Sequence, residues 1–280
     1  MREYTVQYEN CILPRRRRSS HKGDYGRLLL VGGSVGYTGA PVLAAEAALR
    51  TGAGLVFVGV PERVYPIVAQ KCTCSMPFPL PADLGELEKK AAGCDALLLG
   101  PGLGLGEEAR QLVLRLSASY PGPLVLDADG INALAGHIDS LDGRQAPTVL
   151  TPHEGEFARL TGCPLPLEKR REVARSFART HRCVLVLKGH RTVTALPSGD
   201  IFVNTTGNPG MATGGSGDVL AGMLAALLGQ GFELGRAAYT AVCLHGRAGD
   251  LAAEQLGEYA MTAQDLLHFL PQAVKEAEMS

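Results

Sequence analysis

The sequence has 280 residues, of which 46% are hydrophobic, and a formal net charge of -1. A chain of this length and apolar content can bury a full core, and its near-neutral charge argues against a nucleic-acid-binding surface. No apolar run approaches the ~20 residues of a membrane helix, and the basic N-terminal segment lacks the apolar stretch of a signal peptide, so we expect a single cytoplasmic domain with no membrane partner.

Short apolar runs alternate with longer segments of helical period, which predicts a mostly parallel sheet with helices on both faces. Buried strands are predicted at residues 27–31, 54–60, 96–99, 124–126, 148–150 and 184–187. Helices are predicted at residues 41–50, 107–117, 155–160, 167–180, 219–228 and 235–254. Residues 192–196 and 201–203 flank a turn and predict a hairpin. The expected fold is a three-layer α/β/α sandwich with a partly antiparallel edge.

The seven cysteines are scattered, and several lie in apolar segments, as is typical of reduced and packed thiols. Cys72 and Cys74 form a close pair, but no second pair or histidine cluster accompanies them, so we predict no zinc site. Residues 15–18 are four consecutive arginines. We interpret them as a solvated N-terminal segment that could contact a phosphate, because the chain has no tryptophan and no basic excess to suggest a nucleic-acid partner.

Glycines and polar residues follow the ends of five predicted strands. These segments are residues 32–34, 100–104, 127–129, 151–153 and 188–190. In an open α/β sheet, ligands bind at the carboxyl ends of the strands, so the five segments should converge on one crevice. The sequence contains no P-loop motif, and residues 32–34 are not a dinucleotide fingerprint, so neither the usual ATPase loop nor the usual NAD fold applies.

The most informative stretch is residues 212–218, Ala-Thr-Gly-Gly-Ser-Gly-Asp, which leads directly into an apolar helix. Backbone N–H groups in such a turn, together with the positive end of the helix dipole, can hold phosphate oxygens. Asp218 places a carboxylate at the mouth of this pocket. Such a carboxylate could take a proton from a hydroxyl that attacks phosphorus. The alternative is that Asp218 only caps the helix.

The sequence resembles the ADP/ATP-dependent NAD(P)H-hydrate dehydratase family, a branch of the ribokinase-like superfamily. Ordered motifs along nearly the whole chain carry the resemblance: residues 21–26, 32–34 with 36–41, 100–104, 151–153 with 155–157, and 208–218. Two positions depart from the family pattern. Ser216 stands where threonine is more frequent, and Glu154 stands where proline is more frequent.

The resemblance implies a metabolite-repair reaction. Family members dehydrate the S-epimer of NADH hydrate or NADPH hydrate at the expense of ADP or ATP, and with ADP they release AMP and phosphate. Asp218 would deprotonate the ring hydroxyl for attack on the terminal phosphoryl group, in the presence of Mg²⁺. The resemblance also implies a functional link to a separate NAD(P)H-hydrate epimerase. Apolar helices near the C-terminus favour a homo-oligomer, which we expect to be a homotetramer.

The resemblance assigns roles residue by residue. The positions that match hydrate-binding residues are Ala40, Gly104, His153 and Asp218. The positions that match adenine-nucleotide-binding residues are Lys188, Gly189, His190, Arg191, Thr192 and Gly217. Glu156 is the candidate to hold Mg²⁺ through water. Asp127 and Asn132 are expected to line the same crevice, with no role assigned.

Several assignments have a structural alternative. His153 could serve only to order its loop, Lys188 could be an exposed lysine at a strand end, and Glu156 could stabilise the first turn of a helix. Two other functions also fit the fold. One is a small-molecule kinase of the same superfamily, for hydroxymethylpyrimidine or hydroxyethylthiazole, which would leave a stable phosphorylated product. The other is a non-catalytic dinucleotide sensor, although such a protein would have no need of Asp218.

Overall fold

The computed structural model describes residues 1–278. Its centre is one ten-stranded sheet. The strands are Glu3–Val6 (β1), Arg27–Val31 (β2), Leu55–Val60 (β3), Met76–Pro79 (β4), Ala96–Leu99 (β5), Leu124–Leu126 (β6), Thr148–Leu150 (β7), Val184–Leu187 (β8), Val193–Ala195 (β9) and Ile201–Asn204 (β10). Residues 279–280, the end of the predicted domain, lie outside the described residues.

The helices follow the strands in regular alternation over most of the chain. They are Gly39–Arg50 (α1), Tyr65–Lys71 (α2), Leu84–Ala92 (α3), Glu107–Ser119 (α4), Asp129–Asn132 (α5), Glu154–Thr161 (α6), Arg170–Thr180 (α7), Ser216–Gly229 (α8), Leu234–Leu256 (α9) and Ala263–Glu278 (α10). None of the helices within residues 1–278 combines the length and the apolar character that crossing a membrane requires.

The strand order is β1-β10-β9-β8-β7-β6-β5-β2-β3-β4. All pairs are parallel except those of β9, which runs antiparallel to both β8 and β10. The predicted hairpin is therefore present, but β1 pairs in parallel with β10 and forms the outer edge beyond it.

Alternate residues of each strand face opposite layers, as a two-faced sheet requires. In β2, Leu28 and Leu30 pack with α1, α8, α9 and α10, whereas Leu29 and Val31 pack with α3, α4, α6 and α7 on the other face. Both clusters are made of buried side chains. The predicted three-layer α/β/α sandwich is confirmed.

Helix α8 lies in the middle of one layer and is apolar on nearly every side. Eleven of its fourteen residues are buried, because the sheet, α1 and α9 all pack against it. At Gly222 the helix touches the backbone of α1, since an added Cβ would lie 2.0 Å from the Ala44 carbonyl oxygen. The close packing fixes the position of the N-terminus of α8, where the glycine-rich motif begins.

The structure contains elements that the sequence pattern did not predict: β1, β4, α2, α3, α5 and α10. Strand β4 carries Pro77 and Pro79, which are tolerated at the sheet edge but hide the strand pattern, and Pro271 lies inside α10. The helix predicted at residues 167–180 was wrong at its start. It begins at Arg170, because Lys169 adopts a left-handed φ of 52°.

Candidate active site

The five segments that follow strand ends meet at one edge of the sheet, as predicted. Gly33 N donates to the carbonyl oxygen of Pro101 over 2.8 Å, and the Ser34 hydroxyl donates to that of Gly102 over 2.8 Å. Lys188 N donates to the Pro152 carbonyl oxygen over 2.8 Å. The predicted crevice is therefore assembled by direct contacts between neighbouring loops.

Two of the residues matched to hydrate-binding positions, Ala40 in the first turn of α1 and Gly104 on the loop after β5, lie on neighbouring segments. Gly102 has a φ of 60°, and a Cβ there would lie 3.0 Å from the Cβ of Ala40, so the two loops touch at this point. Gly104 N donates to Asp129 Oδ2 over 2.8 Å. The missing side chains let two backbones approach the same space, which suits a flat ring lying against them.

A buried ion-pair cluster occupies the centre of the crevice. Lys188 Nζ lies 2.8 Å from Asp127 Oδ1 and 3.7 Å from Glu156 Oε2. The Thr151 hydroxyl donates to the same Asp127 oxygen over 2.7 Å. The Lys188 side chain is only 18% exposed, so the interpretation of it as an exposed strand-end lysine was wrong. Burial alone would lower the pKa of Lys188, but the facing carboxylates outweigh that effect and raise it.

The glycine-rich loop brings the N-terminus of α8 onto this cluster. Gly215 has a φ of 92°, which only glycine adopts readily, and it begins the helix without a side-chain cap. Gly217 faces the cluster directly, because a Cβ on it would lie 3.3 Å from Lys188 Nζ. The positive end of the helix dipole and a lysine cation therefore point into the same space, which suits an anionic ligand.

Asp218 stands in the first turn of α8 with its carboxylate largely buried. No other described residue donates a hydrogen bond to that carboxylate, and it does not cap the helix, so the cap alternative was wrong. Burial raises the pKa of Asp218 to about 7, and the negative charges of Asp127, Asp129 and Glu156 add to the shift against the opposing Lys188. A carboxylate with this pKa accepts a proton readily at neutral pH.

His153 and Glu156 cap each other at the start of α6. His153 Nδ1 accepts from Gly155 N over 3.0 Å, so in the neutral ring the proton resides on Nε2, which lies 3.5 Å from Glu156 Oε1. Glu156 Oε2 in turn accepts from His153 N over 2.8 Å. His153 thus has the structural role of ordering its loop, yet its side chain remains 54% exposed at the crevice.

The loop of residues 188–192 projects from the cluster as an exposed turn. Arg191 has a φ of 52°, and the Thr192 hydroxyl donates to the Gly189 carbonyl oxygen over 3.0 Å. Arg170 holds the turn from outside, because its guanidinium donates to the His190 carbonyl oxygen over 2.9 Å. Glu154 pairs with Arg170 Nε over 2.8 Å, so the negative charge at this position binds the arginine that supports the turn.

The donor set of the crevice fits Mg²⁺ bound through water and substrate phosphates. Asp127 Oδ2 and the Asp218 carboxylate accept no hydrogen bond from the other described residues, and Glu156, which accepts from His153 N, keeps lone pairs for a water between it and the metal. Within residues 1–278, the three-residue group that could hold a metal on its own is Asp139, Asp142 and His181, at the opposite edge of the sheet. Magnesium usually keeps several waters and binds one or two carboxylates together with phosphates, so the absence of a cage at the crevice suits it.

The comparisons with known proteins agree with this geometry. A family model described as NAD(P)H-hydrate dehydratase matches residues 28–272. The chain belongs to the NAD(P)H-hydrate dehydratase family. It is 50% identical over 98% of its length to a bifunctional NAD(P)H-hydrate repair enzyme of Moorella thermoacetica, of which it covers 54%. The chain thus spans about half the length of the bifunctional relatives that it matches.

Two further proteins are similar to this chain along its full length. The ADP-dependent (S)-NAD(P)H-hydrate dehydratase of Bacillus subtilis is 36% identical, with 98% of each chain covered. Its crystal structure, obtained with ATP and Mg²⁺, matches with a TM-score of 0.86 over 96% of each chain. A ribokinase-like superfamily protein of Enterococcus faecalis matches with a TM-score of 0.89 at 30% identity, over 99% of this chain and 97% of that one.

One residue that contacts the glycine-rich loop lies outside the sequence motifs. His245, in the middle of α9, contacts Ser216 from beneath the glycine-rich loop, with Nε2 lying 3.3 Å from the hydroxyl oxygen. Burial lowers the pKa of His245 to about 4, so the ring is neutral at ordinary pH. The residue could not be singled out from the sequence, because it lies within a helix whose other buried residues are almost all apolar or glycine.

The segment that precedes the glycine-rich loop is anchored to the same helix. Asp250 accepts from Gly207 N over 2.9 Å and from Asn208 Nδ2 over 3.0 Å.

The arginines of residues 15–18 lie away from the candidate site. Arg16 stacks 3.8 Å above the Tyr25 ring and donates to the Gly52 carbonyl oxygen, at the edge of the sheet opposite the crevice. They take no part in the candidate site.

Proposed function

We propose that this protein dehydrates the S-epimer of NADH hydrate or NADPH hydrate to the reduced cofactor, with ADP or ATP as the second substrate. The observation that carries the proposal is Asp218, a half-buried carboxylate with a pKa of about 7 and no hydrogen-bond partner among the described residues. It stands in the first turn of a helix, beside the half-buried cation of Lys188. The chain's membership in the NAD(P)H-hydrate dehydratase family supports the choice of substrates.

In the proposed reaction, Asp218 accepts the proton of the ring hydroxyl while the hydroxyl oxygen forms a bond to the terminal phosphorus of the nucleotide. The bond between that phosphorus and its bridging oxygen breaks, so ADP becomes AMP. Phosphate then leaves the ring with the carbon–oxygen bonding electrons, and loss of a proton from the neighbouring carbon restores the ring double bond. The ring thereby loses its hydroxyl oxygen and two protons, which together make up one water. The oxygen leaves as part of inorganic phosphate.

The other residues act by binding and orientation. Backbone N–H groups of residues 215–217 stabilise the charge on the transferring group, where one lost donor typically costs ~10²–10³ in rate. Lys188 provides the buried positive charge next to them. Mg²⁺, when it is bound, neutralises phosphate charge, and Asp127 Oδ2 and Glu156 are the residues that would hold it through water.

The hydrate and the nucleotide bind in different parts of the crevice. The hydrate contacts four residues: Ala40 at the start of α1, Gly104 on the loop after β5, His153 at the N-cap of α6 and Asp218 in the first turn of α8. The nucleotide contacts Gly217 and the turn of Lys188, Gly189, His190, Arg191 and Thr192. The support for this division is that Gly104 donates to Asp129 Oδ2, whereas Gly217 lies directly against the Lys188 ammonium of the ion-pair cluster.

We further propose a single ribokinase-like domain, a cytoplasmic location and cooperation with an NAD(P)H-hydrate epimerase. The single ten-stranded sheet supports one domain. The bifunctional names of several relatives support the link to an epimerase. The homotetramer stays a prediction, and the apolar faces of α9 and α10 do not support it, because they pack inside the chain.

The decisive experiment incubates the protein with hydrated NADH, Mg²⁺ and either ADP or ATP, and follows the return of absorbance by the reduced nicotinamide. Recovery that depends on one of the nucleotides, with release of phosphate, supports the proposal. If absorbance recovers neither with ADP nor with ATP, the proposal is overturned. Accumulation of a stable phosphorylated product would instead indicate a small-molecule kinase.

A further inference from the structure

A cavity of about 570 Å³ reaches Gly104, one of the proposed hydrate positions, and has two arginines on its walls. Gly104 and Asp129 form its inner end, and Arg110 and Arg159 stand with Asn132 around it. Asp129 is near enough to Asp218 for its charge to raise the pKa of that carboxyl. The cavity is therefore an extension of the crevice on the hydrate side, away from the turn of residues 188–192.

The two arginines differ in how their charges are used. Arg110 is paired with Glu107 through both Nε and Nη2, over 2.9 and 3.0 Å, so its charge is already offset. Arg159 forms no ion pair with any carboxylate of residues 1–278. Its Nε donates to Asn132 Oδ1 over 3.0 Å, which orients the guanidinium and leaves the Nη groups free to donate.

The free end of Arg159 points back along α6 toward His153. A Cβ placed on Gly155 would lie 3.8 Å from Arg159 Nη1 and 2.9 Å from His153 Cε1, so the guanidinium and the imidazole flank the same point. The helix N-terminus of α6 lies at that point as well. An anionic group that follows a ring bound at His153 and Gly104 would therefore meet Arg159.

We propose that Arg159 is a specificity-determining residue that binds a phosphate of the dinucleotide hydrate in this cavity. The inference rests on the proposed function. A guanidinium with free Nη donors and no competing carboxylate is well suited to phosphate oxygens. The phosphate could belong to the diphosphate, which both hydrates carry, or to the 2′-phosphate, which only NADPH hydrate carries. The two sources are separated by comparing the two hydrates.

The test uses Arg159→Gln, which keeps a donor for Asn132 but removes the charge. Lost charge-assisted bonding should raise the KM of the affected hydrate by roughly 10- to 100-fold while the KM of ADP or ATP stays unchanged. An increase for both hydrates assigns Arg159 to the diphosphate, and an increase for NADPH hydrate alone assigns it to the 2′-phosphate. An unchanged KM for both hydrates in an otherwise active protein overturns the inference.

Arg115→Gln provides the matched control. Arg115 lies on α4, pairs with Glu88 over 2.7 Å and does not line the cavity, so its loss should leave both KM values at those of the unmodified protein. Arg159→Lys should restore part of the affinity, since the charge remains. If the unmodified protein dehydrates neither hydrate, the proposed function fails. The inference about Arg159 is then overturned as well. If the unmodified protein is active but Arg159→Gln leaves both KM values unchanged, only the inference about Arg159 fails.

Discussion

Lys188 donates from Nζ to Asp127 Oδ1 over 2.8 Å, and this bond joins the end of β8 to the end of β6 beneath the N-terminus of α8. The Asp127 side chain is buried, and that of Lys188 is partly exposed. Burial is the main cause of the raised pKa of Asp218, Asp127 adds to the increase, and Lys188 opposes it. The ion pair thus connects the fold to the reaction proposed for Asp218.

Asp218→Asn should lower turnover by roughly 10²–10⁴, because the amide has a similar size but cannot accept the proton. Nucleotide affinity and thermal stability should change little. Turnover, ADP and ATP affinity and thermal unfolding measured on the one variant decide the matter. Preserved turnover would remove Asp218 from the reaction.

The pH dependence of kcat/KM should report the titration of Asp218. Its pKa is raised to about 7, and the reaction needs the ionised form, so the rate should fall as pH drops through 7 and level off above it. Measurement with saturating Mg²⁺ and nucleotide from pH 5.5 to pH 9 tests this. A profile that stays flat down to about pH 5 would contradict the assignment.

Lys188→Ala should weaken ADP or ATP binding and leave the affinity for the hydrate nearly unchanged. It should also move the acidic limb of the kcat/KM profile to higher pH, because Lys188 lowers the pKa of Asp218 against the other influences. The variant leaves Asp127 uncompensated, so its folded fraction must be checked by circular dichroism.

The exposed Lys169→Ala serves as control for the loss of one positive charge. Equal weakening of both ligands in Lys188→Ala would contradict the division of the crevice.

His245 should make stability sensitive to acid. Its pKa is lowered to about 4 in the folded protein against 6.5 for the free side chain, so the unfolded chain binds more protons between those values. Stability should therefore fall as pH drops from 6.5 toward 4. Between pH 7.5 and pH 5 the loss from this residue is on the order of 1–2 kcal/mol, and it should be absent in His245→Asn.

Urea unfolding of both proteins at the two pH values measures the difference. The expected outcome is a smaller acid effect on the free energy of unfolding in the variant. An identical acid effect in the two proteins would show that His245 is not the titrating group.

The sequence predicted the central strands and the crevice well, because their signals are local. The apolar run of β5 followed by Gly100, for example, predicts both a buried strand and the loop that turns away from it. The edge strands were missed because they lack that pattern. Strand β1 has one buried residue of four, and none of β4 is fully buried.

The site was predictable only where a motif marks it. Asp218 and Lys188 lie in segments whose position at a strand or helix end can be read from the sequence. Which partner each would have could not be read, since Asp127 and Lys188 are 61 residues apart. His245 and Arg159 were missed because each lies within a helix, and only packing decides which face of a helix meets the crevice.

The pairing of β1 with β10 has a consequence for synthesis of the protein. Glu3 pairs with Ile201, so the first strand leaves the ribosome long before its partner exists. The central strands can assemble during that interval, whereas this edge cannot close until most of the chain has been made. A nascent chain therefore carries an early strand without a neighbour, and a protease that removed it would uncover β10 as a new open edge.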